Sequence, residues 1–448
     1  MADLHYDYLI LGSGPAGHVS AICASQLGLK VAVVEKDRDM FGGVCLNEGC
    51  IPAKSLYHSA EMLDIALRSG GMYGLEVKGS PDMLQIVKKS RETRDLLSGG
   101  LSFLLEKNHV DTIYGTASFE NKGSVRIVTS KGDISVVSDK FLIATGSHPE
   151  ALAGLPFDGK KIISSSEAIR LDRVPKNILI IGAGAIGVEF ASFFGILGSK
   201  VTLAEKEETI LPLEDKEIGR RMNVILKKRG IDVITGRPVT DLKGYEKVII
   251  AAGRAPSTKN IGLDKAGVEI DEKGYVKVGD DMKTNADNIY AAGDVINTPM
   301  LAHVAYIEGE IAARSAAGEK PEPIDYRAIP SAVYSQVKAA SVGLTEEKAR
   351  EANIEHKIGK QFFKANGRAV ANGESEGFIK VIAEVSTRKL IGAHILGRTA
   401  DEIIHEFALA IRCGLTVDDI AGTVHAHPTF SETAADAARS VFGRSIHG

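Results

Sequence analysis

Apolar and polar positions along the chain follow a pattern that occurs twice. The mostly apolar run from Tyr6 to Leu11 is typical of a buried parallel strand; a glycine-rich turn, a helical pattern over about 16–27 and a second apolar run over 30–34 follow it. The same order of strand, turn, helix and strand returns over 177–204. A repeat of a whole βαβ unit predicts an α/β protein with two separate parallel sheets.

The remaining segments predict further elements and the domain boundaries. Residues 55–108 are expected to be largely helical, alternating strand patterns fill 109–143, and 288–294 resembles the end of another strand. The last part mixes strands and helices, as in an α+β domain, with strands over 378–383 and 390–396 and helices over 400–413 and 431–439. The predicted domain divisions are 1–148, 149–277, 278–325 and 326–448.

The first glycine turn has the spacing of a dinucleotide-binding turn. Gly12 allows a tight turn, Gly14 lets the backbone approach a pyrophosphate, and Gly17 lets the following helix pack on the strand. The helix N-terminus then offers free N–H groups to the phosphates. Glu35 lies eighteen residues beyond Gly17, where it can accept hydrogen bonds from an adenosine ribose.

The second glycine turn repeats this spacing with Gly182, Gly184, Gly187 and Glu205. A carboxylate at this place accepts the ribose 2′-hydroxyl and repels a 2′-phosphate, so the site is predicted to prefer NAD over NADP. Two such sites in one chain indicate two dinucleotides, a tightly held FAD and an exchangeable NAD, which together form a hydride relay.

Two of the four cysteines, Cys45 and Cys50, lie close together in the sequence. In one regular helix their Cα atoms would be about 8–9 Å apart, whereas a disulfide needs roughly 4.4–6.8 Å. Gly49 permits the necessary distortion. We therefore predict a labile redox disulfide. A metal site, for which only Glu48 and His58 are near, and a pair of ordinary buried thiols stay as alternatives.

A histidine motif follows near the end of the chain, from His425 to Glu432. His427 precedes a predicted helix that Ser431 is placed to cap. Glu432 is close enough in sequence to orient the imidazole as a general base. Beside a cysteine pair, a base that deprotonates a substrate thiol is what thiol–disulfide exchange requires.

Composition narrows the class of partner. The formal net charge is −4, with no concentrated basic stretch, which argues against nucleic acid. The most membrane-like stretch, 177–198, carries Glu189 near its middle and belongs to the second βαβ unit, so no membrane span is predicted. Few cysteines and no visible export signal predict a reducing, cytoplasmic setting. No metal site is predicted, because the cysteine pair has too few further ligands nearby.

Taken together, these motifs resemble the pyridine nucleotide–disulfide oxidoreductases, and among them the dihydrolipoamide dehydrogenases. The most specific matches are GGVCLNEGCIPAK at 42–54 and HAHPTFSE at 425–432. The resemblance implies an α/β fold with two Rossmann-like domains for FAD and NAD, and an α+β C-terminal dimerisation domain. It also implies a homodimer in which His427 of one subunit completes the cysteine site of the other.

The resemblance assigns roles to further residues. Cys50 is the thiol next to the flavin and Cys45 exchanges with substrate. Lys54 and Glu189 are expected to pair near the flavin. The other expected cofactor contacts are Asp294 on the ribityl chain, Ala302 at the pyrimidine edge, and Gly115, Thr145, Gly146, Ser147 and Gly253.

The activity implied is oxidation of dihydrolipoamide with reduction of NAD. The carrier would be a lipoyl-bearing acyltransferase or a glycine cleavage lipoyl carrier protein. Other NAD(P)H-dependent disulfide reductases, a pyridine nucleotide transhydrogenase and a flavin-binding protein without turnover stay as alternatives. Two departures from the family are Ala185, smaller than usual, and the segment 231–252, which leaves little room for the usual β-meander.

Overall fold

The computed structural model of the protein describes residues 4–239 and 241–447. These residues form two compact units. The first unit is drawn from Met1–Leu56, Leu84–Glu150 and Gly253–Ile324, and the second from Tyr57–Met83, Ala151–Ala252 and Asp325–Gly448.

The strands of the described residues are, in chain order, β1 (Leu4–Leu11), β2 (Val31–Glu35), β3 (Asp111–Tyr114), β4 (Thr116–Asn121), β5 (Ser124–Thr129), β6 (Gly132–Ile143), β7 (Ser147–Pro149), β8 (Ile162–Ile163), β9 (Asn177–Ile181), β10 (Lys200–Ala204), β11 (Asp232–Ile234), β12 (Lys247–Ile250), β13 (Arg254–Pro256), β14 (Ile289–Ala291), β15 (Ser331–Val333), β16 (Lys338–Gly343), β17 (His356–Phe362), β18 (Phe378–Glu384) and β19 (Leu390–Gly397).

The α-helices are α1 (Pro15–Gln26), α2 (Gly43–Asn47), α3 (Cys50–Asp64), α4 (Met83–Lys107), α5 (Ser165–Ala168), α6 (Ala185–Ile196), α7 (Lys216–Lys228), α8 (Leu263–Ala266), α9 (Ala302–Ala316), α10 (Glu346–Glu351), α11 (Gly367–Ala371), α12 (Ala400–Arg412), α13 (Val417–Gly422) and α14 (Glu432–Ser440).

The first unit is built on a sheet in which β3, β2, β1 and β6 lie side by side and parallel. On the side away from β1, the long strand β6 has two partners. Its first half is antiparallel to β5, and its last residues are parallel to β14. Strand β14 confirms the strand end predicted at 288–294. The buried strands are rich in Val, Ile and Leu, as expected of a sheet covered on both faces.

The second unit contains two five-stranded sheets. One is parallel, in the order β11-β10-β9-β12-β8, and holds the second glycine turn. The other is antiparallel, in the order β15-β16-β19-β18-β17, and α12, α13 and α14 supply much of the apolar core that covers it. Two Rossmann-like sheets and a C-terminal α+β domain confirm the predicted fold class.

The region predicted to be helical over 55–108 is interrupted. Helix α3 ends at Asp64, a 3₁₀ turn covers Gly70–Tyr73, and α4 begins only at Met83. A π-helical turn over Ile65–Ser69 lies between α3 and the 3₁₀ turn, so only residues 74–82 lie outside any helix. Gly74 has a left-handed backbone (φ 76°), and Pro81 precedes the start of α4.

Two other expectations concern the middle of the chain. Between β11 and β12 the described residues contain no strand, in keeping with the shortened segment 231–252. In this part of the chain the boundaries between the two compact units lie after residues 150, 252 and 324. Residues 253–277 therefore belong to the first unit, and the second glycine turn belongs to the second. Strand β13 pairs there with β7. The domain divisions at 148, 277 and 325 stay a prediction.

Candidate active site

The two cysteines lie on either side of a break between two helices. Helix α2 ends at Asn47 and α3 begins at Cys50, so the pair does not occupy one regular helix. A Cβ atom at Gly49 would lie 3.0 Å from the carbonyl oxygen of Val44 and 3.2 Å from the Cα of Cys45. The absence of a side chain at Gly49 therefore lets the two helix ends approach each other, as the sequence predicted.

The thiols of the pair are in contact. Both are free in this structure, and a hydrogen bond between their side chains is the largest cause of a raised pKa for Cys45. Burial raises this pKa further, while Lys54, one turn along α3, lowers it. The raised pKa means that Cys45 keeps its proton at neutral pH. Disulfide formation removes two protons and two electrons from the pair and requires the sulfur atoms to approach to bonding distance.

Two side chains near the pair were not predicted from the sequence. The pKa of Tyr306 on α9 is raised by burial and then by the charges of Cys45 and Cys50. Burial lowers the pKa of Arg254, against the opposing effects of Asp294, Cys50 and Glu48. Both shifts locate a polar group beside the redox pair.

The first glycine turn has the tight geometry predicted from its spacing. Gly12 has a φ of 107°, and a Cβ there would lie 2.3 Å from the carbonyl oxygen of Ala144. A Cβ at Gly17 would lie 1.9 Å from the carbonyl oxygen of Gly12. Gly14 caps α1 in an extended conformation, and its missing Cβ has only the Cα of Gly43, at 3.9 Å, nearby. This leaves the N–H groups at the start of α1 open to a phosphate.

Glu35 is buried at the end of β2 and braces this turn. Its Oε2 accepts hydrogen bonds from the Ser13 N–H at 3.1 Å and the Ser13 hydroxyl at 2.6 Å. The same hydroxyl accepts a hydrogen bond from the Gly42 N–H at 2.9 Å, which ties the turn to the start of the cysteine motif. The predicted contact of Glu35 with a ribose stays a prediction.

The second glycine turn has nearly the same geometry. Gly182 has a φ of 99°, and a Cβ at Gly187 would lie 1.8 Å from the Gly182 carbonyl oxygen. A Cβ built on Gly184 would meet no described atom within 4 Å. Glu205 is buried and accepts a hydrogen bond from the Ala183 N–H at 2.7 Å. The shared geometry fits two dinucleotides, one at each turn.

Several expected cofactor residues of the first unit form one hydrogen-bonded group. The Ser147 hydroxyl donates to Asp294 at 2.5 Å. Arg254 donates from Nε to that hydroxyl at 2.7 Å and from Nη2 to the Ser147 carbonyl oxygen at 2.8 Å. The Thr145 hydroxyl donates to the Ser257 carbonyl oxygen at 2.8 Å. Arg254 was missed as a site residue, although it lies in the motif that begins at Gly253.

The remaining expected residues have distinct surroundings. Ala302 is the first residue of α9, as predicted, and Gly146 has a left-handed backbone. Gly115 is needed for packing, because a Cβ there would lie 2.7 Å from Ile127 and from the Val128 carbonyl oxygen. On α9 the sequence also missed Glu308, which is fully buried and accepts from the Gly293 N–H at 2.8 Å.

Lys54 and Glu189 belong to different units, and their pairing stays a prediction. Lys54 lies on α3. Glu189 lies on α6, where its carboxylate accepts a hydrogen bond from the Tyr334 N–H at 3.2 Å.

The structure brings His427 and Glu432 together in the second unit. The Nδ1 atom of His427 lies 2.9 Å from Oε1 of Glu432, and the imidazole is exposed over 78% of its surface. Oε2 of Glu432 accepts from the Thr429 N–H at 2.8 Å. The Thr429 bond and then the His427 bond lower the pKa of Glu432. The predicted cap was wrong: Ser431 occupies the cap position of α14, but its side chain makes no capping bond.

Within residues 4–239 and 241–447, no cluster of three or more His, Cys, Asp or Glu side chains is arranged to hold a metal ion. In the same part of the chain, every helix is too short or too polar to cross a bilayer.

Residues 6–309 match the family model described as pyridine nucleotide-disulphide oxidoreductase, and residues 329–438 match the dimerisation domain of that family, which supports the predicted homodimer. Two similar proteins are a dihydrolipoyl dehydrogenase of Chlorobaculum tepidum, 40% identical over 97% of this chain and 96% of its own, and a mitochondrial dihydrolipoyl dehydrogenase of Pisum sativum, 38% identical over 98% and 92%.

Solved structures give the same result. LpdA from Mycobacterium tuberculosis has a TM-score of 0.89 and 26% identity over 97% of this chain and 99% of its own. The HOCl-induced flavoprotein disulfide reductase RclA from Escherichia coli has a TM-score of 0.87 and 28% identity over 97% and 100%. With its paired thiols, twin glycine turns and carboxylate-bound histidine, the chain belongs to the pyridine nucleotide-disulphide oxidoreductase family.

Proposed function

We propose that this protein is an NAD-dependent dihydrolipoamide dehydrogenase that works through a Cys45–Cys50 disulfide. The observation that carries the proposal is the contact between these two thiols at the break between α2 and α3. Full-length similarity to proteins named dihydrolipoyl dehydrogenase supports the choice of substrate. The buried carboxylate of Glu205, held by the Ala183 N–H, supports NAD as the second dinucleotide, because a negative charge there disfavours a 2′-phosphate.

The chain's own groups account for the thiol chemistry. His427, held by Glu432, accepts a proton from one thiol of dihydrolipoamide. The resulting thiolate attacks the Cys45 sulfur, forming a mixed disulfide and releasing Cys50 as a thiolate. The second substrate thiol then attacks the mixed disulfide, so lipoamide leaves oxidised and both cysteines remain reduced. FAD and NAD, which the two glycine turns would hold, would supply the redox chemistry that carries the two electrons of the cysteine pair onward as hydride.

Several residues carry specific parts of this proposal. Cys50 is the thiol nearer the flavin, as the resemblance of the cysteine motif implies. The glycines of the two turns hold the pyrophosphates, and Asp294, fixed by Ser147, binds the ribityl chain of FAD. His427 acts on the cysteine pair of the partner subunit. The partner protein is a lipoyl-bearing acyltransferase or a glycine cleavage lipoyl carrier protein, and the cytoplasm is the proposed setting.

A steady-state assay of the holoenzyme tests the proposal. Dihydrolipoamide, glutathione disulfide and menadione are each compared with NAD(H) and NADP(H), and we expect turnover to be fastest with dihydrolipoamide and NAD. Cys50→Ser should keep bound FAD and lose dihydrolipoamide turnover. Cys413→Ser, which changes an exposed cysteine in the second unit, is the matched control. Faster turnover of glutathione disulfide with NADPH, or full activity in Cys50→Ser, would contradict the proposal.

A further inference from the structure

The loop that carries His427 contains a second histidine with opposite surroundings. The side chain of His425 is only 9% exposed. Its Nε2 lies 3.0 Å and 3.2 Å from the two carboxylate oxygens of Glu406 on α12. Its Nδ1 lies 3.1 Å from the carbonyl oxygen of Thr423. Both ring nitrogens of His425 therefore have a protein partner.

The partners of His425 determine which protonation form satisfies the site. A backbone carbonyl and an ionised carboxylate only accept hydrogen bonds, and a neutral imidazole has one N–H to donate. Both contacts are hydrogen bonds only when His425 is an imidazolium, which then forms a charge-assisted pair with Glu406. A histidine held in this way has no lone pair to offer as a base.

His427 differs in the one respect that catalysis needs. Its Nδ1 is bonded to Glu432, and within the described residues its Nε2 has no hydrogen-bond partner. The two histidines are two residues apart, yet one is exposed with a nitrogen available and the other is buried with both nitrogens engaged.

We propose that His425 is a positioning residue: through its paired contact with Glu406 it anchors the loop of His427 to α12 and so holds His427 beside Glu432. This inference rests on the proposed function, in which His427 is the base. The anchor joins Glu406 to His425, nineteen positions apart, and adds to the bond from Asn366 Nδ2 to the Thr429 carbonyl oxygen in holding the loop between α13 and α14.

The charges around Glu432 agree with this role. Its pKa is lowered first by the Thr429 N–H, then by the His427 hydrogen bond, with the charge of His425 as a smaller contribution. Among the described residues, the carboxylates bonded to the two histidines of the loop are Glu406 from α12 and Glu432 from α14. Loss of the His425 charge would move the ionisation of Glu432 to higher pH. The acid limb of the activity profile would move with it.

The test compares His425→Gln and Glu406→Gln in the holoenzyme. The Glu406→Gln substitution keeps a hydrogen-bond acceptor at this position but removes the negative charge. We expect each variant to lower kcat/KM for dihydrolipoamide about 10- to 100-fold, as misplacement of a catalytic group does, and to move the acid limb to higher pH. Menadione reduction by NADH, which needs no proton from a substrate thiol, should stay within about twofold. The double variant should be no worse than the single ones, because the two residues act as one pair.

The matched control is His405→Gln, an exposed histidine beside Glu406 on α12. Wild-type kcat/KM and an unmoved acid limb in a folded, FAD-bound His425→Gln enzyme would overturn the inference. Equal losses with dihydrolipoamide and menadione would also overturn it, since they would indicate a general structural defect. If His425→Gln does not fold, Glu406→Gln decides by the same criteria. If wild-type enzyme uses another disulfide and not dihydrolipoamide, the proposed function fails, and the variants are compared with that disulfide.

Discussion

Glu205 accepts a hydrogen bond from the backbone N–H of Ala183 at 2.7 Å, inside the second glycine turn. Glu35 and Ser13 have the same relationship in the first turn, at 3.1 Å. Each carboxylate therefore stabilises the backbone of its own turn, independently of any bound nucleotide. A second oxygen of Glu205 accepts from the Glu207 N–H at 3.1 Å. Substitution of Glu205 will affect the shape of the turn as well as the choice between NAD and NADP.

Because Glu205 both stabilises the turn and contributes charge, two substitutions of it should have different effects. Glu205→Gln keeps an acceptor for Ala183 but loses the charge, so we expect the KM for NAD to rise about 10-fold, as loss of a charged hydrogen bond predicts. Glu205→Arg should favour NADP over NAD and have a lower kcat/KM for both, because it also removes the brace. Steady-state kinetics with both nucleotides measures this, with Glu207→Gln as the control. An unchanged NAD preference in Glu205→Arg would contradict the assignment.

Gly49 is expected to control closure of the disulfide. A side chain at Gly49 meets the Val44 carbonyl oxygen and the Cys45 Cα, so Gly49→Val should push the end of α2 away from Cys50. The four cysteines less the bonded pair leave two titratable thiols in the oxidised wild type. We expect nearly four in Gly49→Val. Gly99→Ala on α4, where a Cβ meets no described atom within 4 Å, is the control. Two thiols in Gly49→Val would show that the close approach is not required.

Removal of Glu432 should lower kcat and alter the pH profile. The hydrogen bond from Thr429 and then the one with His427 lower its pKa, so the carboxylate is ionised at neutral pH and loses its charge only as the pH falls through the lowered value. The support for His427 is thus present above that value and lost below it. Glu432→Ala should lower kcat about 100-fold and remove the part of the acid limb that comes from protonation of Glu432. Glu402→Gln, at an exposed position on α12, should leave the profile unchanged.

Buried Lys380 on β18 is expected to be important for stability. Its ammonium lies 2.9 Å from Asp215 and 2.8 Å from Glu346, and the side chains of Lys380 and Asp215 are 2% and 0% exposed. Lys380→Met would leave two carboxylates without their cation, at a cost of about 3–5 kcal/mol. Thermal melting of the holoenzyme should show a clear fall in Tm. Lys348→Met, at an exposed lysine, should not.

The same cluster predicts a pH dependence of stability. Burial by itself would raise the pKa of Asp215, but His394 and Lys380 outweigh it, so the pKa is lowered. A lowered pKa means that the cluster stabilises the fold above the unfolded value, about pH 4, and that this contribution is lost as the pH falls through the folded value. Wild-type Tm should therefore fall on acidification more steeply than the Tm of Lys380→Met. Parallel curves would show that the cluster does not couple to pH.

Three parts of the site were predictable from local rules. A left-handed backbone and a close contact at Gly12 and Gly182 follow from the spacing of glycines around a strand and a helix. The approach of Cys45 and Cys50 required a helix break, and Gly49 marked its place. In the same way, the short distance along the chain from His427 to Glu432 allowed their hydrogen bond to be predicted.

Contacts between distant parts of the chain were missed. Arg254 meets Ser147 across 107 positions, and Ser147 meets Asp294 across 147. Nothing in the local pattern at Arg254 specifies that partner, because the contact depends on the pairing of β13 with β7. The bond of His425 to Glu406 likewise depends on how α12 packs beside the loop that carries His427.

The sequence by itself therefore determined the kinds of chemistry present, through spacings shorter than one supersecondary unit, where backbone geometry leaves few choices. Tertiary structure alone decided which charged groups are buried together and which ring nitrogens are engaged. These properties depend on strand register and helix packing over the whole chain.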